Sequence, residues 1–291
     1  AYEIRLSLVG SEMCIRDRII TTPFFYHFIR LGSFSWFVKK NQLAQYGNYY
    51  WAEQLRFAQI LVGYSYFLIH GSMIWGYANI ILFALTSFII SIGMEVIGTK
   101  TGLVFGGKYK FDLNKSPGPS FLGIPLVIPL AWSGLIYMSL NFSSYLFVEM
   151  VNYGQSPNMI GMTLWSYFLG GPFLLFLPSL LLVIIDLVLD PIAVDERRWE
   201  WENPGSYYGV PILNFIGWFI TAYLILWIFS MIQYQNISDK HIGYLFKYSP
   251  GFFFCLLPAI ASRPCFERGL KIPGTIGLVF SFGLLITILI Q

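Results

Sequence analysis

Three carboxyls stand out for the company they keep. Asp186 and Asp190 lie four residues apart in VIIDLVLDP, so on a helix they share one face. Glu95 follows the apolar run ALTSFIISIGM, with no following cation before Lys100. A charged Asp at the centre of a membrane helix costs about 2.5–3.5 kcal/mol on insertion scales, and less near the interface. Desolvation favours the neutral form of a carboxyl. Glu95 and Asp186 are therefore candidate proton donors rather than fixed charges, with Glu95 the first choice because fewer charges surround it in sequence. Asp190, directly before Pro191, reads equally well as an acid at the end of its helix. Trp132 and Trp218 fall inside apolar runs, Pro129 precedes Trp132, and Tyr207 and Tyr208 precede the run containing Trp218. Indole faces stabilise cations by about 0.5–2 kcal/mol. A desolvated acid beside aromatic walls suits carbocation chemistry, in which an alkene is protonated and the cation is held until it is captured. The amide of Asn214, or of Asn114, could orient a water toward such a cation.

The catalytic candidates are thus Glu95, Asp186, Asp190 and Asn214, and the substrate-binding candidates are Trp132, Trp218, Tyr207, Tyr208 and Pro129. No metal site is expected. His27, His70 and His241 are far apart, and Cys14, Cys255 and Cys265 form no CxxC pair. The glycine-rich stretches at 102–109 and 117–123 lack the GxxxxGK spacing of a phosphate loop and read as turning segments.

The elements that must position these residues are membrane helices. The chain is 56% hydrophobic and 11% charged, where a soluble domain carries about 25% charged residues. Its net charge of +3 comes without a basic block, so nucleic acid is not a partner. Seven runs approach the roughly 20 apolar residues a span requires, at 57–75, 78–98, 122–141, 164–190, 211–233, 249–263 and 272–290. The sixth is short and bounded by prolines. This predicts an all-α, polytopic integral membrane bundle of about seven transmembrane helices. Residues 1–18 are too charged to span, and SLVGSEMCIRDR resembles a translated sequencing-adapter tail, so this stretch is expected to lie outside the fold. Residues 19–56 read as an interfacial or truncated helix with a connector, and 57–291 as one transmembrane domain.

Loop charge sets the orientation. The 99–121, 191–210 and 264–271 loops carry Lys100, Lys108, Lys110, Lys115, Arg197, Arg198, Arg268 and Lys271, whereas the alternate loops carry Lys240 and Lys247. The first set is expected in the cytoplasm of a prokaryotic cell whose inner membrane holds the chain. Glu95, Trp132, Asp186, Asp190, Asn214 and Trp218 then fall at one depth near the cytoplasmic side. Trp199 and Trp201, alternating with Glu200 and Glu202, read as an interfacial belt.

The segments EVIGTKTGLVFGGKYKF (95–111), GPSFLGIPLVIPLAW (118–132) and DPIAVDERRWEWENPGSYYGVPILNFIGW (190–218) resemble the CruF-type carotenoid biosynthesis family of membrane hydratases, which includes the bisanhydrobacterioruberin hydratases. The GGKYKFDLNKS stretch is more basic than that pattern. The resemblance implies addition of water across the C1–C2 double bond of an acyclic carotenoid ψ-end group, giving a tertiary alcohol. It implies no cofactor beyond water as co-substrate, and as partners a carotenoid in the bilayer and other enzymes of carotenoid biosynthesis. It does not assign catalytic residues. Three other readings stay open. A ψ-end-group cyclase begins with the same protonation. A membrane prenyltransferase would use Asp186-x-x-x-Asp190 but needs a second acidic motif, and no NDxxD occurs. Against a transporter or scaffold stand the lack of internal repeats and of mid-membrane charges.

Overall fold

The computed structural model describes the backbone of residues 48–116, 118–154, 162–234 and 243–289, and the side chains of 57–116, 118–148, 174–234 and 243–289. Residues 1–47, which hold the 1–18 tail and most of the interfacial or truncated helix and connector expected at 19–56, lie outside the described residues, whereas 48–56, expected as connector, are the first turns of a helix running to Trp75. Among the described residues the chain is a bundle of seven long helices: α1 (Asn48–Trp75), α2 (Tyr77–Thr101), α3 (Val127–Gly154), α4 (Met162–Asp195), α5 (Ile212–Ile232), α6 (Tyr244–Glu267) and α7 (Lys271–Leu289). All of these except α3 contain a stretch long and apolar enough to cross a membrane. Ile81, Leu85 and Ile89 on α2, and Ile216 and Ile220 on α5, point outward. Only lipid is a suitable solvent for such faces.

The exception has a physical reason. Helix α3 is 28 residues long, but its hydropathy is lowered by Ser133, Ser139, Asn141, Ser143 and Ser144. It packs against α1, α2, α4 and α6, and Ser133, Ser139 and Ser143 are fully buried. Their hydroxyls bond to the carbonyls of Pro129, Ile136 and Ser139. The helix is less apolar because it faces protein instead of lipid. At its centre, Tyr137 meets Phe67 and Trp75 edge-on, with ring centroids 4.9 Å apart in both pairs.

Several boundaries differ from the sequence expectation. Helix α3 begins at Val127 instead of 122, because β2 (Ser120–Phe121) and β3 (Ile124–Pro125) form a tight hairpin before it. Pro129 sits in the first helical turn, where the missing N–H would have no intrahelical partner in any case. Helix α6 is 24 residues long and runs through Pro250, Pro258 and Pro264, so it is neither short nor bounded by prolines. Helix α4 continues through Pro191 to Asp195, which places Asp190 inside the helix and removes its reading as a terminal acid.

A proline inside a helix orphans the carbonyl four residues earlier. For Pro191 that carbonyl belongs to Leu187, and the Tyr207 hydroxyl donates to it at 3.0 Å. For Pro250 it belongs to Phe246, where the adjacent Ser249 hydroxyl and the distant His70 Nε2 both donate at 2.7 Å, while His70 Nδ1 pairs with the Tyr137 hydroxyl. Side chains distant in sequence thus replace the missing backbone donor.

The α2–α3 and α4–α5 loops pair with each other. Strand β1 (Tyr109–Phe111) runs antiparallel to β4 (Trp199–Trp201), with Tyr109 opposite Trp201 and Phe111 opposite Trp199. Alternation turns these four aromatics to one face and Lys110 and Glu200 to the other. The two loops therefore lie on one side of the bundle. Trp201 is buried, with its indole N–H on the Phe105 carbonyl at 2.9 Å, so it is a packing residue and not part of an interfacial belt. Two glycines permit the docking. A Cβ on Gly98 of α2 would stand 2.6 Å from the Phe105 ring, and one on Gly217 of α5 would stand 2.4 Å from the Val104 carbonyl oxygen.

Candidate active site

The helix ends beneath this paired-loop cap carry the acids. Glu95 is six residues before the end of α2, Asn214 lies in the first turn of α5, Asp186 and Asp190 lie in the last third of α4, and Trp132 lies near the start of α3. All five are buried, and Asp186 is fully inaccessible. Burying a carboxyl is unfavourable unless it is hydrogen-bonded, and each of the three acids has a partner. The Tyr109 hydroxyl donates to Glu95 Oε2, and Trp132 Nε1 donates to Glu95 Oε1 at 3.0 Å. Asn214 Nδ2 donates to Asp186 Oδ2 at 2.8 Å and to Asp190 Oδ2 at 2.6 Å. These partners are a phenol, an indole and an amide. Among the described residues no cation is recorded bonding to any of the three acids.

One atom of the cluster is left over. Asp186 Oδ1 is buried and has no hydrogen-bond partner within the protein. An orphaned buried carboxyl oxygen costs on the order of 1–3 kcal/mol or more. It is the carboxyl oxygen of the cluster that receives no donor, beside an Asp190 carboxyl within hydrogen-bonding reach of Asp186.

Tyr109 ties the two halves together. Burial first, and then the charge of Glu95 with smaller effects from Asp190 and Asp186, pushes its phenol well above the ordinary tyrosine range. It therefore stays an O–H donor, within electrostatic range of all three acids. Its ring packs against Trp201, Phe105 and Phe111 with centroids 5.3, 5.9 and 5.5 Å away. Nothing in the sequence singles out Tyr109. The only local signal was the alternation in YKF, which is too short to identify a strand.

The aromatic candidates divide. Trp132 stacks on Trp218 at 4.1 Å between centroids and 29° between planes. Trp132 is 2% exposed and committed to Glu95 and to the stack, whereas Trp218 is half-buried and keeps part of its ring open. Tyr207 is held by the Leu187 carbonyl and meets Phe215 edge-on. Burial, helped by Tyr208, Cys265 and Asp186, pushes its phenol up to about 12. Tyr208 packs on the small core formed by Val188, Ile192, Cys265 and Leu270. Neither tyrosine is recorded bonding to an acid, and the bond recorded for Tyr207 repairs the helix at Pro191. Pro129 is buried at the start of α3. Asn114 is exposed in the turn Leu113–Lys115, outside the buried acid cluster.

Chemically, the arrangement offers buried acid groups, a carboxyl clamped by two donors, one buried carboxyl oxygen without a donor and a stacked indole pair, inside a bundle of membrane-length helices. The Asn214 amide group sits between the Asp186 and Asp190 carboxyls, where a cation bridging a DxxxD pair would otherwise be placed. Among the described residues no group of three or more His, Cys, Asp or Glu has the geometry to hold a metal.

Comparison with known proteins places this architecture. The family described as "Carotenoid biosynthesis protein" matches residues 55–284. The chain is 30% identical over 154 residues to a bisanhydrobacterioruberin hydratase of Haloarcula japonica, a match covering 53% of this chain and 45% of that relative. The match thus spans less than half of the relative's length. No solved structure matches.

Proposed function

This chain belongs to the carotenoid biosynthesis protein family, and from that premise we propose that it is a carotenoid hydratase. The reaction adds water across the C1–C2 double bond of an acyclic ψ-end group. A buried carboxyl of the cluster protonates C2, the tertiary cation at C1 forms beside the acids and the Trp132–Trp218 stack, and water captures it. The overall change is neither oxidation nor reduction, so water is the co-substrate and no redox cofactor takes part. The polyene lies among the helices in the bilayer, and its end group reaches the carboxyls beneath the paired loops. We place those loops on the cytoplasmic face, because they carry the lysines and arginines.

The observation that carries the reading is the gathering of three buried carboxyls at one level of a lipid-facing bundle, bonded to Tyr109, Trp132 and Asn214 with one oxygen left open. An alkene is a weak base, and its protonation needs a positioned, desolvated acid. General acid catalysis is typically worth about 10²–10⁴-fold. A developing cation gains about 0.5–2 kcal/mol from an indole face and more from a nearby carboxylate in a low-dielectric site. The hydratase identity of the Haloarcula japonica relative points the same way.

Expression of the chain in a lycopene-producing bacterium tests the reading. Hydration predicts pigments heavier by one or two waters than those of the vector control. A cyclic pigment of unchanged mass would replace the hydratase by a cyclase, and an unchanged pigment profile with the protein present in membranes would reject both.

A further inference from the structure

We propose that Asp186 delivers the proton through its Oδ1, while Glu95 remains a carboxylate that faces the cation, an assignment that rests on the hydration reading above. Similar burial of the two acids leaves either available for either role. Their hydrogen bonds distinguish them.

Glu95 accepts on both oxygens. An indole N–H can only donate, and the Tyr109 phenol is held in its O–H form by burial and by the acids around it. A carboxyl occupied in this way has the bonding pattern of an acceptor and has no oxygen left to present to an alkene. Its two donors come from β1 and α3, so its position is fixed from two directions. Such a group suits stabilisation of positive charge, because it is oriented before the charge forms.

Asp186 is arranged differently. Asn214 donates to Oδ2 alone, the Asp190 carboxyl lies within hydrogen-bonding reach of the Asp186 carboxyl, and Oδ1 is buried and receives no N–H or O–H from any other side chain among the described residues. The group that can carry a proton toward an apolar substrate is the one with a buried oxygen to which no indole, phenol or amide donates. Asp190 shares the same amide nitrogen through its own Oδ2, so it stands beside Asp186 as the neighbour that can take up a proton.

The step balances as follows. The O–H bond at Asp186 Oδ1 breaks, and the π pair of C1=C2 forms a C2–H bond, leaving a cation at C1 and a carboxylate at Asp186. The oxygen lone pair of water forms the C1–O bond. The resulting oxonium loses its extra proton to the Asp186–Asp190 pair, which restores the acid. No electron is gained or lost overall. Tyr109 is a positioning residue in this scheme, acting on the cation only through Glu95.

The test uses the full chain in membranes with an acyclic carotenoid in deuterium oxide, reading water addition and deuterium at C2, each normalised to protein content. Asp186→Asn is expected to lower both by about 10²–10⁴-fold. Asp186→Glu, which keeps an acid one methylene further out, is expected to restore at least tenfold over Asn. Glu95→Gln is expected to lose less of both than Asp186→Asn. If Asp186→Asn retains hydration within tenfold of the unchanged chain while Glu95→Gln loses it, the donor is Glu95 and this assignment fails, although hydration stands. If Asp186→Glu is no better than Asn in folded protein, the donor role of Asp186 also fails. An unchanged chain that adds neither water nor deuterium overturns the hydration reading and the assignment with it.

Discussion

Tyr109→Phe isolates one interaction. The substitution removes the hydroxyl that donates to Glu95 Oε2 and leaves the ring in place against Trp201, Phe105 and Phe111. No cavity larger than an oxygen is created, so packing against β4 should persist. A hydrogen bond to a charged group contributes about 1.5–3 kcal/mol. If the whole of that amount serves to hold Glu95 toward the cation, turnover falls by roughly 10–150-fold. The assay is initial-rate hydration of an acyclic carotenoid in membranes, with chain abundance measured in the same preparation. The expected result is a lower kcat with KM nearly unchanged, since the phenol does not touch the substrate, and membrane abundance close to that of the unchanged chain. Deuterium from solvent should still reach C2 in the product that forms. Unchanged turnover would refute the claim that the Tyr109–Glu95 bond serves the reaction, and parallel losses of abundance and turnover would make Tyr109 a structural residue only.

Other perturbations probe separate parts of the account. Trp218→Ala removes the half-open indole and should lower turnover about 5–30-fold if about 1–2 kcal/mol of cation stabilisation is lost, with a smaller loss of membrane protein; equal losses of both would favour packing alone. Gly217→Ala puts a Cβ 2.4 Å from the Val104 carbonyl oxygen, so about 1–3 kcal/mol of stability should be lost by overpacking, seen as a lower thermal midpoint in detergent; an unchanged midpoint would mean that the α2–α3 loop is not docked there. Single cysteines at Lys110 and Glu200, which face each other across β1 and β4, should both resist an impermeant thiol reagent applied outside the cell, while one at the exposed Tyr77, the first residue of α2, should react. Labelling of both loop positions would reverse the orientation, and labelling of only one would contradict their pairing.

Much of the bundle is legible in the sequence because lipid imposes a simple rule. A run of apolar residues must close its backbone hydrogen bonds internally, and the runs around 78–98, 211–233 and 272–290 lie close to α2, α5 and α7. Helix ends are less legible where proline intervenes. Pro191 reads as a stop, yet α4 continues because Tyr207, twenty residues from Leu187, supplies the missing donor. Pro250 is accommodated by the neighbouring Ser249 together with His70, 176 residues from the carbonyl it serves. No local pattern reveals partners at such distances. Hydropathy also understates α3, whose serines are turned toward protein.

The site was legible to a similar extent. Glu95, Asp186, Asp190 and Asn214 are conspicuous as polar groups in or beside apolar runs, and the fold gathers them in one buried cluster. What the sequence conceals is their bonding. Tyr109 is one tyrosine among 19, and its place at Glu95 depends on pairing between strands about ninety residues apart. The same pairing buries Trp201, which its neighbours Glu200 and Glu202 make look interfacial. Tyr207 and Tyr208, adjacent to the site in sequence, are engaged instead by the Leu187 carbonyl and by the core around Cys265.

The central claim, that these acids add water to an acyclic carotenoid, is tested most directly with purified chain in lipid vesicles loaded with such a carotenoid, in water enriched in the heavy isotope of oxygen and without added nucleotide, flavin or reductant. The account predicts a tertiary alcohol carrying the heavy oxygen, formed in proportion to the amount of chain and lost in Asp186→Asn. A product whose oxygen comes from molecular oxygen, or an active chain whose product carries no oxygen from water, would contradict it.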